Sequence, residues 1–522
     1  MTNFIGTSGE YAHDAAFAVV DGNGDIKFAS LTERFTEVKH DYNLPSDIFA
    51  AYTGKYVNPK TQYWLNDNWI LRDKMRPGLH DFVNKTSESD SAKSVVETAT
   101  NIAQIHPLHR IKHMDNQFAC NHHEAHAAAA FMTRPNSFAK EDCVMVVMDG
   151  IGEWRSGLIL NSDFEVVHEM CFPKSIGYLY ANFTQLVPPL RANDDEYVIM
   201  GKSCYGEPTH WEDLYEMFNC IPEWNQYEQQ EEIKDFDWED RYDQKKLYLD
   251  KMCDMLFKEC ANVDDASASL QRMTEEVIKD FMTVARKHGR KLCYSGGVAQ
   301  NIMANSVIHD MFDDVWIDVN PGDGGAALGA AAYGYMQATG ADRINWEHPY
   351  LGHNIKGTVD PEEVVDYIMK HKVAGIANGP AEYSCRAYGN RSLIADVRYD
   401  VKDTVNEIKK RQKFRPFAPA ILEEHAHEYF EGPMNRWMQF VAKAKHPYSS
   451  VTHVDGTGRV QLVPASSHSV FRKILECYYD KTGIPMLLNT SLNIRRMPMV
   501  NNRHHANRFQ EKYGVKVFTG NP

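Results

Sequence analysis

Two stretches of the chain are written to one plan. Residues 4–33, FIGTSGEYAHDAAFAVVDGNGDIKFASLTE, set apolar runs between polar turns, with a tight turn at Asp21-Gly22-Asn23-Gly24. Residues 143–170, CVMVVMDGIGEWRSGLILNSDFEVVHEM, repeat that order, with turns at Asp149-Gly150 and Asn161-Ser162-Asp163. Short apolar runs bounded by Gly, Asn and Asp read as strands. Each stretch is then a three-stranded meander followed by helical sequence. The pattern predicts a duplicated α/β domain of the actin-like kind, which holds a ligand between its halves near the hairpin loops. Two meanders alike by chance is the competing reading.

A chain of 522 residues is longer than one ordinary domain. Residues 1–347 are expected to form the first unit and residues 348–522 the second. Residues 207–262, acidic and aromatic, read as a helical insertion in the first. Leu270, Met273, Val277, Phe281 and Val284 recur at helical spacing and predict a core-facing helix that ends by Gly289. No apolar run approaches the 18 or so residues of a membrane span, and the N-terminus lacks the pattern of a signal peptide. Ten cysteines without a C-x-x-C pair read as reduced thiols of a cytoplasmic protein.

The stretch CNHHEAHAAAAF, residues 120–131, predicts a helix, since alanine favours one strongly. His122 and His126 are four apart and share one face. They can chelate one ion, or they can be a chance pair among 23 histidines. The zinc-protease pattern H-E-x-x-H would need histidine at 127, where Ala127 stands. Asp323, in PGDGGAALGAA, sits at the start of an alanine-rich helix as a cap or a metal ligand. Gly296 and Gly297, in SGGVAQN, form a strand-to-helix turn whose amides can approach an anion.

The net charge of −15 disfavours nonspecific nucleic-acid binding over the whole surface. Against it, cations gather after residue 380: Arg386, Arg391 and Arg398, then Lys409, Lys410, Arg411, Lys413 and Arg415, then Arg459. Asn489, Thr490, Ser491 and Asn493 follow. Arginine recognises phosphate bidentately, so a polyanionic ligand is expected. A solvated basic face is the alternative, and the apolar, rigid surroundings in Arg415-Pro416-Phe417-Ala418-Pro419 speak against it.

Ten motifs in order resemble the O-carbamoyltransferases of the NodU/CmcH type: AHDAAFAVVDG, ERFTEVKHD, HHEAHAAAAF, VMDGIGE, SGGVAQN, PGDGGAALGAA, RAYGNRSLIAD, FRPFAPAIL, HVDGTGRVQ and LLNTSLN. The resemblance implies an N-terminal actin-like domain of the ribonuclease-H-like class and a C-terminal YrdC-like α/β domain. It implies formation of carbamoyl adenylate from carbamoyl phosphate and ATP, with magnesium, and passage of the carbamoyl group to an acceptor hydroxyl. It implies a metal ion, often iron, on His122, His126, Asp149 and Asp323; manganese or zinc suits such N and O ligands equally. The nucleotide and carbamoyl phosphate would meet Gly296, Gly297, Asn301, Arg386, Arg391, Lys409, Arg415, Arg459, Asn489 and Ser491, with Arg415 and Ser491 taking part in catalysis. His13 and Asp14 would lie near the carbonyl, one of them taking the acceptor proton, unless they only stabilise their turn.

Sugars, aminoglycosides and macrolides are the usual acceptors. A hydroxymethylated nucleobase, free or in DNA, stays open because of Arg495, Arg496, Arg503 and Arg508. The family usually has lysine where Val198 stands, with Lys202 as a substitute, and leucine where Gln300 stands. The rival classes are a tRNA threonylcarbamoyl-type transferase and a noncatalytic binding protein of actin-like fold.

Overall fold

The computed structural model describes residues 1–9, 13–66, 117–222, 246–446 and 448–521. The first meander forms strands β1 (Phe4–Ser8), β2 (Ala16–Val20) and β3 (Ile26–Leu31), joined by β4 (Gln62–Leu65) and β5 (Gln117–Ala119). The second forms β6 (Cys143–Met148), β7 (Arg155–Asn161) and β8 (Val166–Cys171), joined by β9 (Lys291–Ser295) and β10 (Asp314–Ile317). The sheet orders are β3-β2-β1-β4-β5 and β8-β7-β6-β9-β10. In each, the meander is antiparallel and the two added strands run parallel to the first. This identity of order and direction is the duplication expected from the sequence, and it is the actin-like arrangement. The central strands FIGTS and CVMVVM are buried throughout, as continuous apolar runs covered on both faces must be.

Two helices fill the space between the sheets. One is His122–Met132 and the other Asp323–Thr339. Both are alanine-rich, so their backbones come close. A Cβ at Gly329 would lie 1.9 Å from the Ala125 carbonyl oxygen, and one at Gly6 would lie 2.0 Å from that of Ala327. Only glycine permits these contacts. The N-termini of the two helices consequently open side by side.

On the other face of the second sheet lies the helix Val263–Ala285, with Leu270, Met273, Val277 and Phe281 in the core. Its Asn262 side chain accepts from the amides of Asp264 and Asp265, which fixes its start. Within the expected insertion, helices span Trp211–Asn219 and Lys251–Glu259. Residues 223–245 lie outside the described residues.

Beyond the connector come β11 (Tyr350–Ile355), β12 (Val373–Ala377), β13 (Gly379–Glu382), β14 (Arg391–Ala395), β15 (Ala418–Leu422), β16 (Phe430–Glu431), β17 (Ala442–Ala444), β18 (Thr457–Gly458), β19 (Gln461–Val463), β20 (Met486–Ser491) and β21 (Val517–Phe518). The order β19-β15-β20-β14-β12-β21 gives a six-stranded mixed sheet. The helices Pro361–His371 and Phe471–Thr482 contribute to one of its cores. No helix among the described residues is long and apolar enough to cross a membrane.

Candidate active site

The two halves face a common cavity of about 720 Å³. Asp149, Gly297 and Asp323 line it from the actin-like half; Arg386, Arg415 and Arg459 line it from the C-terminal half.

The structure brings His122, His126, Asp149 and Asp323 to one point. His126 Nε2 lies 3.2 Å from Asp149 Oδ2 and 3.4 Å from Asp323 Oδ1; His122 Nε2 lies 3.3 Å and 3.5 Å from the same atoms. The histidines open their helix and Asp323 opens the other, so the close packing of the two helices sets the spacing. Asp149 directly follows β6, and a Cβ on Gly297 would come within 2.8 Å of its Oδ1. Ser295 Oγ donates to the Pro321 carbonyl (3.3 Å) and lies 3.4 Å from His126 Nδ1. That leaves Nε2 as the nitrogen turned to the site, the usual support for a ligating imidazole. Burial opposes charge on Asp149, but His122 and His126 outweigh it and hold the carboxyl well below the usual range. The neighbouring His123 is fully buried beside Gly152 and turns away.

A chain of contacts runs outward from this point. His13 Nε2 is 3.7 Å from Asp323 Oδ2, and His13 Nδ1 is 3.0 Å from Asp14 Oδ2. Asp14 Oδ1 is 2.8 Å from His40 Nδ1, and His40 Nε2 is 3.2 Å from Asp194 Oδ1. Asp14 and His40 both adopt left-handed backbone (φ 59° and 55°), a costly conformation for such residues and one that gathers at functional sites. Burial works against charge on His13, but Asp14, Asp323 and Asp149 raise its pKa to about 9.

On the opposite wall, Arg386, Arg415 and Arg459 form no ion pair among the described residues. Burial, followed by neighbouring cations, lowers the pKa of Arg459 to about 9; burial also lowers that of Arg415. Arg386 also donates to the Trp437, Met438 and Gln300 carbonyls, whereas the desolvated Arg415 and Arg459, without a carboxylate, are a site for an anion, and phosphate matches their fork.

The family description "Carbamoyltransferase N-terminus" matches residues 3–332, and "Carbamoyltransferase C-terminus" matches residues 365–520. The chain belongs to the carbamoyltransferase family. It is 30% identical to nodulation protein NolO of Bradyrhizobium diazoefficiens over 73% of this chain and 74% of that one. It is also 30% identical to nodulation protein NolNO of Sinorhizobium fredii, over 73% of this chain and 59% of that longer one. Among solved structures, HypF from T. kodakarensis aligns at 14% identity and TM-score 0.31, over 65% of this chain and 48% of that one. That score is too low to support any step; the actin-like assignment rests on the two strand orders.

Some residues of this carbamoyltransferase stand elsewhere than the sequence suggested. Arg391 is fully buried and donates to the carbonyls of Asn378, Gly379, Asn390, His353 and Asn501. It ties strands together and does not line the cavity. Gly296 also stays outside, its amide bonded to the Pro321 carbonyl. Lys409 lines the cavity, but its ammonium is bound by Ser491 and Asn493 oxygens at 2.5–3.2 Å, so it shapes that turn. Asn301 lines the cavity too, with its side chain capping the next helix through the Ala304 amide and bonded to Gln271. Asn489 and Ser491 do line the cavity, and Asn489 Oδ1 is buried without a partner. Val198 is core, and Lys202 pairs with Asp264 outside the cavity, so it does not replace a missing lysine there.

Other cavity residues were not singled out in the sequence. Lys39 pairs with buried Glu33, and both line the cavity with His40 and Asp194. Lys39 and His40 belong to the motif ERFTEVKHD, which was the available signal. Arg411 and Arg495, which the sequence did mark among its basic residues, line the cavity as well.

Proposed function

We propose that the two halves, dividing near residue 347, catalyse successive steps on the two walls of one cavity. In the C-terminal, YrdC-like half, carbamoyl phosphate and water give carbamate and phosphate. Carbamate oxygen then attacks the α-phosphorus of magnesium ATP, and pyrophosphate leaves. Arg386, Arg415 and Arg459 hold the phosphates, and Asn489 with Ser491 orients the carbamoyl group. On the other wall the acceptor oxygen attacks the carbamoyl carbon, and AMP departs with the electron pair of the broken C–O bond. His13 in its neutral form takes the acceptor proton, with its ring oriented by Asp14; the carboxylates that raise its pKa to about 9 must first be neutralised for that form to prevail at neutral pH. The guanidinium groups without an ion pair, facing Asp149 and Asp323 of the cluster across one cavity, carry this reading.

The cluster of His122, His126, Asp149 and Asp323 fits a divalent ion. His126 Nε2 is buried with no hydrogen-bond partner, and two imidazoles with two carboxylates suit iron, and equally manganese or zinc. Such an ion would supply positive charge next to the departing phosphate. The residues themselves exclude water and fix the geometry.

The acceptor is a small hydroxyl compound. The wall around Asn182, Gln185, Asn193, Asp194 and Glu196 offers amides and carboxylates, which suit hydroxyl or amino groups. DNA is disfavoured, because the tail's arginines are engaged within the chain. Arg495 pairs with buried Asp195, Arg496 bonds the Pro189 carbonyl, Arg503 bonds Thr519 and Gly520, and Arg508 pairs with Glu37. Ten free thiols fit a reducing cytoplasm. The test is pyrophosphate release from ATP that depends on carbamoyl phosphate, with a carbamoylated hydroxyl compound found by mass spectrometry. ATP use that carbamoyl phosphate does not affect would sink the reading.

A further inference from the structure

The connector between the halves carries a second group of metal-ligating side chains. Glu347 and His348 precede β11, and His468 lies in the loop before the helix Phe471–Thr482. One ligand atom from each lies within 4.8 Å of the others. The rings of His348 and His468 meet edge-on with centroids 4.5 Å apart. His348 Nδ1 is buried and has no hydrogen-bond partner. None of the three lines the catalytic cavity.

We propose that Glu347, His348 and His468 bind a divalent transition-metal ion of the zinc class, which fastens the connector to the C-terminal half. Two imidazoles and a carboxylate are a donor set for zinc, cobalt or nickel rather than calcium or magnesium. Remaining positions are open to water.

The framework behind the ligands is built. Ser467 Oγ accepts from the Ser469 amide (3.3 Å), and the Ser467 amide donates to the Pro464 carbonyl (3.0 Å). Ser469 Oγ donates to Asn390 Oδ1 at 2.7 Å and accepts from the Phe471 amide at 3.2 Å. His468 is thus presented from a loop pinned on both sides. His348 rests against Tyr350, with ring centroids 5.6 Å apart, and Tyr350 is paired with Glu382 across β11 and β13. Metal–ligand distances near 2.0–2.1 Å place ligand atoms about 3.3 Å apart around a tetrahedral ion. Glu347 and His468 are exposed, so their side chains are free to close that gap onto His348.

The test uses the full chain equilibrated with zinc chloride and passed through a desalting column, with bound zinc counted by elemental analysis. Relative to wild type, His468→Gln should bind one equivalent less. Glu347→Gln should weaken the same site by at least the tenfold to hundredfold that outer supporting groups typically contribute. In a His126→Ala background, zinc should still raise the melting temperature, and adding His468→Gln should abolish that rise. Both residues replaced at the proposed site are exposed, and circular dichroism checks that all the variants, the buried His126→Ala included, fold. Equal zinc content in wild type and His468→Gln would overturn the proposal. So would a zinc response in the His126→Ala background that His468→Gln leaves unchanged.

Discussion

The Arg415 guanidinium lies over the Tyr197 ring, 4.1 Å from its centroid. A cation of the C-terminal half thus rests on a cavity wall supplied by the actin-like half. Arg415→Ala should cut carbamoyl-phosphate-dependent pyrophosphate release by about a hundredfold to a thousandfold, the usual loss when a group stabilising reacting charge is removed. Transfer from supplied carbamoyl adenylate should fall far less. Equal loss of both half-reactions would place activation and transfer in one shared site.

His126→Ala should show the opposite division. It should lower the metal content by one equivalent and stop acceptor carbamoylation, while ATP and carbamoyl phosphate are still consumed. Elemental analysis and acceptor mass spectrometry on one preparation decide this.

Mixing the Arg415→Ala and His126→Ala proteins tests whether the intermediate leaves the protein. Both walls belong to one cavity, so carbamoyl adenylate is expected to be used before it escapes. The mixture should recover little activity. Recovery near that of wild type would mean free diffusion.

Asp14 and Asp194 hold His40 from both ring nitrogens. Burial disfavours its charge, yet these contacts raise its pKa from 6.5 to about 9. Its contribution to stability is therefore complete below pH 6.5 and drains away as pH rises through 9, with a ceiling of about 3 kcal/mol. Wild-type melting temperature should fall between those pH values, and His40→Gln should flatten the fall. An identical slope in the variant would show that His40 stays neutral.

Gly329→Val should be among the most damaging substitutions in the actin-like half. Its Cβ would meet the Ala125 carbonyl carbon at 2.8 Å as well as the oxygen, and overpacking of this kind costs about 1–3 kcal/mol or more. Lower melting temperature together with weaker metal binding is expected, since both helices carry proposed ligands. Unchanged metal affinity would separate the helix contact from the site.

The paired meanders were legible because strand periodicity and turn residues are local signals. The i, i+4 histidines were legible for the same reason, a glycine turn marked Asp323, and Asp149 entered the set only through the family resemblance. The chain of His13, Asp14, His40 and Asp194 was only half visible. His40 and Asp194 are far apart in sequence and meet only after the first sheet packs on the segment before the helix Glu196–Lys202. Arg391 misled for a related reason. A guanidinium that serves five backbone carbonyls is written with the same letter as one that serves phosphate, and only burial tells them apart.

The helices His122–Met132 and Asp323–Thr339 touch through main chain, with Gly329 under the Ala125 carbonyl. A contact between side chains can absorb an ångström by changing rotamer. A contact between two backbones has no such play. The distance from the imidazole pair to the Asp323 carboxylate is therefore gauged by the thickness of polypeptide itself, and repacking the surrounding core would leave that gauge unchanged.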